Sequence, residues 1–92
     1  MSYDEGMPIW MKQSKAASHI RELLMQRGID IPSQSVTVGD KQWAVFERRG
    51  RQVGIDPTSG IWVRESVGNQ WRCLAKEHSM SGAFLAVEFL TK

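Results

Sequence analysis

The chain has 92 residues, of which 41% are hydrophobic and 24% are charged, and its formal net charge is +2. This composition is typical of one folded domain and excludes a disordered or low-complexity protein. A single cysteine, Cys73, excludes an intramolecular disulfide, and no apolar run reaches the roughly 20 residues of a membrane-spanning helix.

The N-terminal segment has no charged stretch followed by an apolar run, so it lacks the pattern of a secretory signal. We therefore expect a cytoplasmic protein without membrane contact. Residues 1–7 are polar and aperiodic, and we predict a disordered N-terminal end there. Residues 8–92 are predicted to form a single domain.

The first predicted element is an amphipathic helix in the run IWMKQSKAASHIRELLMQRG. Its apolar residues recur on one stripe: Trp10, Ala17, Ile20 and Leu24. Pro8 fits the first turn of such a helix, and Ser14 is a competing N-cap. Gly28 follows the last periodic residue and is a natural C-terminal stop.

Short alternating runs and turn residues fill the chain from Ile29 to Ala75. The predicted strands are SVTV, KQWAVFER, RQVGI, IWVRES and QWRCLA. The turns between them need left-handed backbone at four glycines: Gly39, Gly50, Gly60 and Gly68. Such short connections join only antiparallel neighbours, so a meander of four to five strands is expected.

The last predicted element is a helix that Ser79 or Ser81 caps and that runs to about Leu90. It is apolar nearly all round, with Leu85 and Phe89 as a pair on its second side. That side must be covered by the first helix or by another subunit, which makes the pair a hypothesis for self-association. The fold class follows: α+β, with an N-terminal helix, an antiparallel meander and a C-terminal helix, and with the helices mainly on one sheet face.

Strand alternation divides the side chains of the meander between two sheet faces. The face predicted to lie under the helices carries Trp43, Val45, Val53, Ile55, Ile61, Val63, Trp71 and Cys73. The face predicted to be open carries Phe46, Arg48, Gln52, Gly54, Trp62, Arg64, Arg72 and Leu74.

Basic residues concentrate in the middle of the chain, and we expect them to border a binding surface around an exposed aromatic ring. The candidate residues for a nucleic-acid or protein partner are Arg48, Arg49, Arg51, Trp62, Arg64 and Arg72. In the alternative interpretation these arginines only keep an exposed sheet soluble and fold over Trp62.

Catalytic and metal-binding patterns are weak in this sequence. A thiol, a carboxylate and an imidazole are close in sequence at Cys73, Glu77 and His78. The thiol belongs to a predicted strand and the other two precede a helix cap, so the sequence does not place them within hydrogen-bond reach. His19 is expected to be an ordinary helix residue. One cysteine and two histidines do not make a closed zinc site, and the chain has no phosphate-binding loop. We predict no catalytic residues, cofactor, metal or small-molecule substrate.

These patterns predict a small non-enzymatic binding protein that acts through protein–protein contacts or as a homodimer. The alternative function is nucleic-acid binding through the basic, aromatic sheet face.

Overall fold

The chain folds as a helix, five strands and a second helix, in a computed structural model that describes residues 9–92, with side chains from residue 13 onward. The elements are α1 (Ile9–Gln26), β1 (Gln34–Val38), β2 (Lys41–Arg48), β3 (Arg51–Ile55), β4 (Ile61–Arg64), β5 (Arg72–Ala75) and α2 (Met80–Thr91). The predicted α+β fold is therefore confirmed. The segment predicted to be disordered, 1–7, and the side chain of Trp10 lie outside the described residues.

The five strands form one antiparallel sheet in chain order, β1-β2-β3-β4-β5, as the short turns predict. The hairpin between β2 and β3 turns at Arg49 and Gly50, whose φ angles are 54° and 82°. Positive φ at both central residues is the type I′ arrangement, which matches the twist of the flanking strands. Arg49 is therefore a turn residue, and its side chain lies at the tip of a hairpin.

The loop between β3 and β4 differs from the prediction in its backbone. Ser59 has the left-handed conformation, with φ 69°, whereas Gly60 does not have positive φ. Gly60 is needed for space instead, because a Cβ there would lie 2.6 Å from Oδ2 of Asp56. The carboxylate of Asp56 organises this loop and leaves no room for a side chain at Gly60.

Both helices lie on one face of the sheet and share a single hydrophobic core with it. The fully buried core side chains include Phe46 from β2, Val53 and Ile55 from β3, and Ile61 and Val63 from β4. The prediction for β3 and β4 is thus confirmed. For β2 it is wrong: Phe46, and not the predicted pair of Trp43 and Val45, points toward the helices.

The reason lies in the composition of β2, where positions 43–46 are all apolar and alternation alone does not choose a face. The register with β3 and β4 determines which face each of these side chains occupies. Phe46 lies opposite Val53, which lies opposite Val63, so these three side chains share the covered face.

The prediction for β5 is also wrong, because Cys73 is exposed and lies on the open face. Ile61 pairs with Ala75 while its neighbour Trp62 pairs with Cys73, so Leu74 is an extra residue in β5. Such a β-bulge shifts the alternation by one position. Leu74 and Ala75 consequently both pack against the core, and Cys73 does not.

Helix α1 ends as its sequence predicts. Gly28 has φ 77°, and the amide of Ile29 donates to the carbonyl of Leu24 at 3.0 Å. This is the Schellman arrangement of a helix C-terminus. Of the predicted stripe, Ala17, Ile20 and Leu24 are buried against the sheet and α2.

Helix α2 begins with Ser79 as its N-cap, whose hydroxyl accepts from the amide of Gly82 at 3.0 Å. Its apolar residues divide between the core and solvent. Phe89 is only 6% exposed and belongs to the core, whereas Leu85 is 53% exposed. The pair predicted for self-association is thus split, and only Leu85 is accessible to another chain.

The burial of Phe89 sets the first prediction. Phe89→Ala should lower the free energy of unfolding by about 3 to 5 kcal/mol, because it removes a buried ring and leaves a cavity. The matched substitution Leu85→Ala should change it by less than about 0.5 kcal/mol, since that side chain lies largely in solvent. Urea unfolding of both variants measures the difference, and equal losses would contradict the assignment of Phe89 to the core.

Candidate partner-binding surface

Three tryptophans meet on the sheet face that lies opposite the helices. The ring centroids of Trp43 and Trp71 are 5.2 Å apart, and those of Trp43 and Trp62 are 5.7 Å apart. The ring of Trp43 is tilted with respect to each of the other two, which is a favourable arrangement for aromatic groups. We call Trp43, Trp62 and Trp71 the tryptophan patch.

The patch forms above Gly54 of β3, which is the position that lets the rings converge. A Cβ at Gly54 would lie 2.7 Å from Cε3 of Trp43 and 3.1 Å from both Cη2 and Cζ3 of Trp71. Trp62 lies directly opposite Gly54 in the register of β3 and β4. The missing side chain therefore provides the space that rings from β2, β4 and the approach to β5 share.

The patch is a surface and not a second closed core. Each of its three tryptophans is partly exposed, while Val45, the register partner of Gly54, is only 3% exposed. The rings thus cover the sheet beneath them and keep part of their own area in solvent. An exposed group of large aromatic side chains is typical of the centre of a binding interface.

Asp56 fixes the orientation of Trp62. Its Oδ2 accepts from the indole Nε1 of Trp62 at 2.8 Å, and its Oδ1 accepts from the amides of Thr58 and Gly60 and from the hydroxyl of Thr58. One carboxylate therefore holds both the loop and the ring. Trp62 is consequently pre-oriented, so that binding of a partner here would cost less side-chain freedom.

A polar row borders the patch across β2, β3 and β4. Nε of Arg64 donates to Oε1 of Gln52 at 2.6 Å, and Nε2 of Gln52 donates to Oε1 of Glu47 at 2.7 Å. The Cζ atom of Arg64 also lies 4.4 Å from the ring centroid of Trp71, a cation–π distance. Arg64 is thus held against the patch from two sides.

Two of the predicted site arginines lie on the helix side of the sheet and contact the C-terminal end of α2. Nη1 of Arg48 donates to the carbonyl of Leu90 at 2.9 Å, and Nη1 of Arg51 donates to the carbonyl of Lys92 at 2.8 Å. They are register partners and sit at the negative end of α2, where cations are favourable. Arg48 and Arg51 therefore hold the end of α2 and do not border the tryptophan patch.

The six predicted site residues do not form one surface. Trp62 and Arg64 lie together at the patch, and Arg49 lies at the tip of the β2–β3 hairpin. Arg72 is exposed on the helix side of the sheet, opposite Val63, and not on the predicted open face; its Nη2 lies 3.7 Å from a carboxylate oxygen of Glu65. A continuous basic face is therefore not present among them.

Sequence reasoning missed Trp43 and Trp71 as members of the site, because it assigned both to the covered layer. The bulge in β5 is invisible in the sequence, and β2 is apolar on both faces. The useful signal was Gly54, a glycine in the interior of a strand, since such a glycine often marks a close approach of other groups.

A second feature connects α1 with the segment before α2. Nδ1 of His19 and Nε2 of His78 are 3.2 Å apart, and the two rings meet edge to face. They line an open cleft of about 400 Å³ together with Lys15, Ser79 and Met80. The sequence could not predict this contact, because the two histidines are 59 positions apart.

Among residues 9–92, no three His, Cys, Asp or Glu side chains are grouped so that they could hold a metal ion. Within the same part of the chain, neither helix combines the length and apolar character needed to cross a membrane. No family model matches this sequence, and neither a curated protein nor a solved structure is significantly similar to it.

The space above Gly54 sets the second prediction. Gly54→Ala should lower the free energy of unfolding by about 1 to 3 kcal/mol, because the new methyl group overlaps two rigid rings. In a Trp43→Ala background the same change should cost less, since the closest ring atom is gone. Urea unfolding of the four chains measures this coupling, and additive effects would contradict the close approach.

Proposed function

We propose that this chain is a small non-enzymatic binding protein that holds a protein partner on its tryptophan patch. The observation that supports this most strongly is the convergence of Trp43, Trp62 and Trp71 over Gly54, with each ring partly exposed. Large aromatic side chains and arginine are enriched at the centres of protein interfaces, and they carry much of the binding energy there.

The electrostatics of the patch favour a protein over a polyanion. Asp56 lies at the indole of Trp62, and Glu47 belongs to the row that ends at Arg64. One carboxylate thus contacts a patch ring, and a second is linked through Gln52 to Arg64, the cation that lies against Trp71. A partner with apolar side chains and an acceptor for Arg64 fits this surface better than a chain of phosphates does.

The third prediction concerns this partner surface, with a phage-displayed library of random peptides as the probe. Peptides selected on the wild-type protein should lose at least about thirtyfold in affinity for Trp62→Ala, because a central aromatic contact contributes 2 kcal/mol or more. Arg64→Ala should weaken the same peptides, and circular dichroism checks that both variants are folded.

The matched control is Phe84→Ala, which removes an exposed aromatic ring from α2, on the other side of the sheet. Peptides that bind through the patch should not distinguish this variant from the wild type. If the selected peptides depend on Phe84 and are indifferent to Trp62 and Arg64, the patch is not the binding surface.

Nucleic-acid binding is the second candidate function, because Arg64 places a cation against the Trp71 ring at 4.4 Å. Single-stranded nucleic acids bind where aromatic rings stack on bases and cations contact phosphates. Arg72 does not add a second cation to this face, because its register partner is Val63, which lies under the helices. This arrangement is smaller than the basic surface that the sequence predicts, since Arg48, Arg51 and Arg72 lie on the helix side.

The fourth prediction separates the two candidates by tryptophan fluorescence. If the patch binds protein and not nucleic acid, single-stranded oligothymidylate and oligouridylate should not quench the tryptophan emission. The measurement is made at about 50 mM salt, where contacts to phosphate are strong. Quenching that weakens steeply with salt and is lost in Arg64→Ala would instead favour nucleic-acid binding. The matched control is Arg21→Ala, which should keep the quenching.

A reducing compartment fits the exposed thiol of Cys73, and we propose a cytoplasmic location on this ground. A free exposed thiol is readily oxidised or paired outside such a compartment.

A further inference from the structure

The two edges of the sheet differ in how they are protected. β5 has four residues, begins with Arg72 and is bulged against β4. β1 has five residues, Gln-Ser-Val-Thr-Val, without charge or proline, and all five pair in regular register with β2. Proteins protect sheet edges with short strands, charges, prolines and bulges. The edge of β5 has three of these features, whereas β1 has none of them within its length.

The outer side of β1 can accept another strand. Within residues 9–92, β2 is the only strand paired with β1, so half of its peptide groups point away from the sheet. Val36, Thr37 and Val38 are residue types with high strand propensity. A neutral, regular edge of this composition is a template for strand addition.

We propose that β1 is a homodimerisation edge, where β1 of a second copy adds antiparallel to form a continuous ten-stranded sheet from the two five-stranded ones. This inference concerns a different surface from the tryptophan patch, and it does not depend on the proposed partner binding.

A second copy is the occupant that this strand fits, because its sequence is complementary to itself. With the two-fold axis at Val36, the five residues of each β1 pair completely. Val36 then lies opposite the partner's Val36, and Ser35 lies opposite the partner's Thr37. A valine pair and two hydroxyl pairs are favourable across strands, and no like charges meet.

The two-fold symmetry also fixes the relative orientation of the two chains. Two copies of one strand pair antiparallel only about an axis perpendicular to the sheet, so both helical layers lie on the same side. In each chain, Val36 lies opposite Trp43 in the register of β1 and β2. The dimer therefore extends an apolar row from Trp43 through Val36 to the partner's Val36 and the partner's Trp43, which increases the buried area at the joint.

The fifth prediction is a dimer that a charge on β1 dissociates. Light scattering of the full chain should give twice the monomer mass of 10.5 kDa. Val36→Lys should give the monomer mass, because two ammonium groups would meet at the two-fold axis. Val67→Lys is the matched control, since Val67 is exposed between β4 and β5, and it should remain dimeric.

A cross-linking experiment tests the edge without depending on how Val36→Lys folds. Val36→Cys with Cys73→Ser should form a covalent dimer under mild oxidation, because Cβ atoms of directly opposed residues are about 4.5 to 5.5 Å apart. Val67→Cys with Cys73→Ser should form it much more slowly. Equal rates for the two variants would overturn the proposal.

Other occupants of the edge, or other interfaces, give different results. A monomeric wild type overturns the proposal, and slow hydrogen exchange at the β1 amides that point away from β2 would then indicate that another segment of the same chain covers the edge. A dimer that Val36→Lys leaves intact and Leu85→Lys dissociates also overturns it, in favour of an interface on α2.

Discussion

The open face of the sheet depends on the space above Gly54. Both helices cover the other face. On the open face, the strands are covered only by their own side chains, which include the tryptophans. Without a Cβ at Gly54, the ring of Trp71 reaches β3, contacts Trp43 and supports Arg64. Trp62 joins the same group while Asp56 holds its indole nitrogen. One absent side chain thus creates a surface on which three rings cover the sheet and remain partly exposed.

The two faces could be predicted where the sequence has a clear alternation and not where it lacks one. In β3 and β4, Val53, Ile55, Ile61 and Val63 alternate with polar or small residues, or with Trp62, and the predicted covered face is correct. In β2 four consecutive apolar residues fit either face, and long-range register decides. In β5 a bulge reverses which side chains face the helices, and the cause of the bulge lies in the pairing with β4 and not in the local sequence.

The predicted basic surface illustrates the same limit. A sequence shows that Arg48, Arg49 and Arg51 are neighbours, but it does not show that the hairpin they form lies against the end of α2. Arg48 and Arg51 are opposite each other and donate to carbonyls of the last residues of the chain. Their positive charge stabilises a helix terminus and is therefore not directed to a partner. Of the predicted site arginines, only Arg64 in β4 lies against the tryptophan patch.

The unequal edges and the single open face together suggest how the protein presents its patch. In a pair of chains joined at β1, the strands that carry the two copies of Trp43 are separated by three strand spacings, which is about 14 Å. Both patches face the same side, because the two-fold axis is perpendicular to the sheet. In the proposed dimer, a partner with two adjacent binding segments would contact both patches at once, and its second contact would be intramolecular. Weak binding at one small aromatic patch would consequently become stronger at two, without any enlargement of the 92-residue domain.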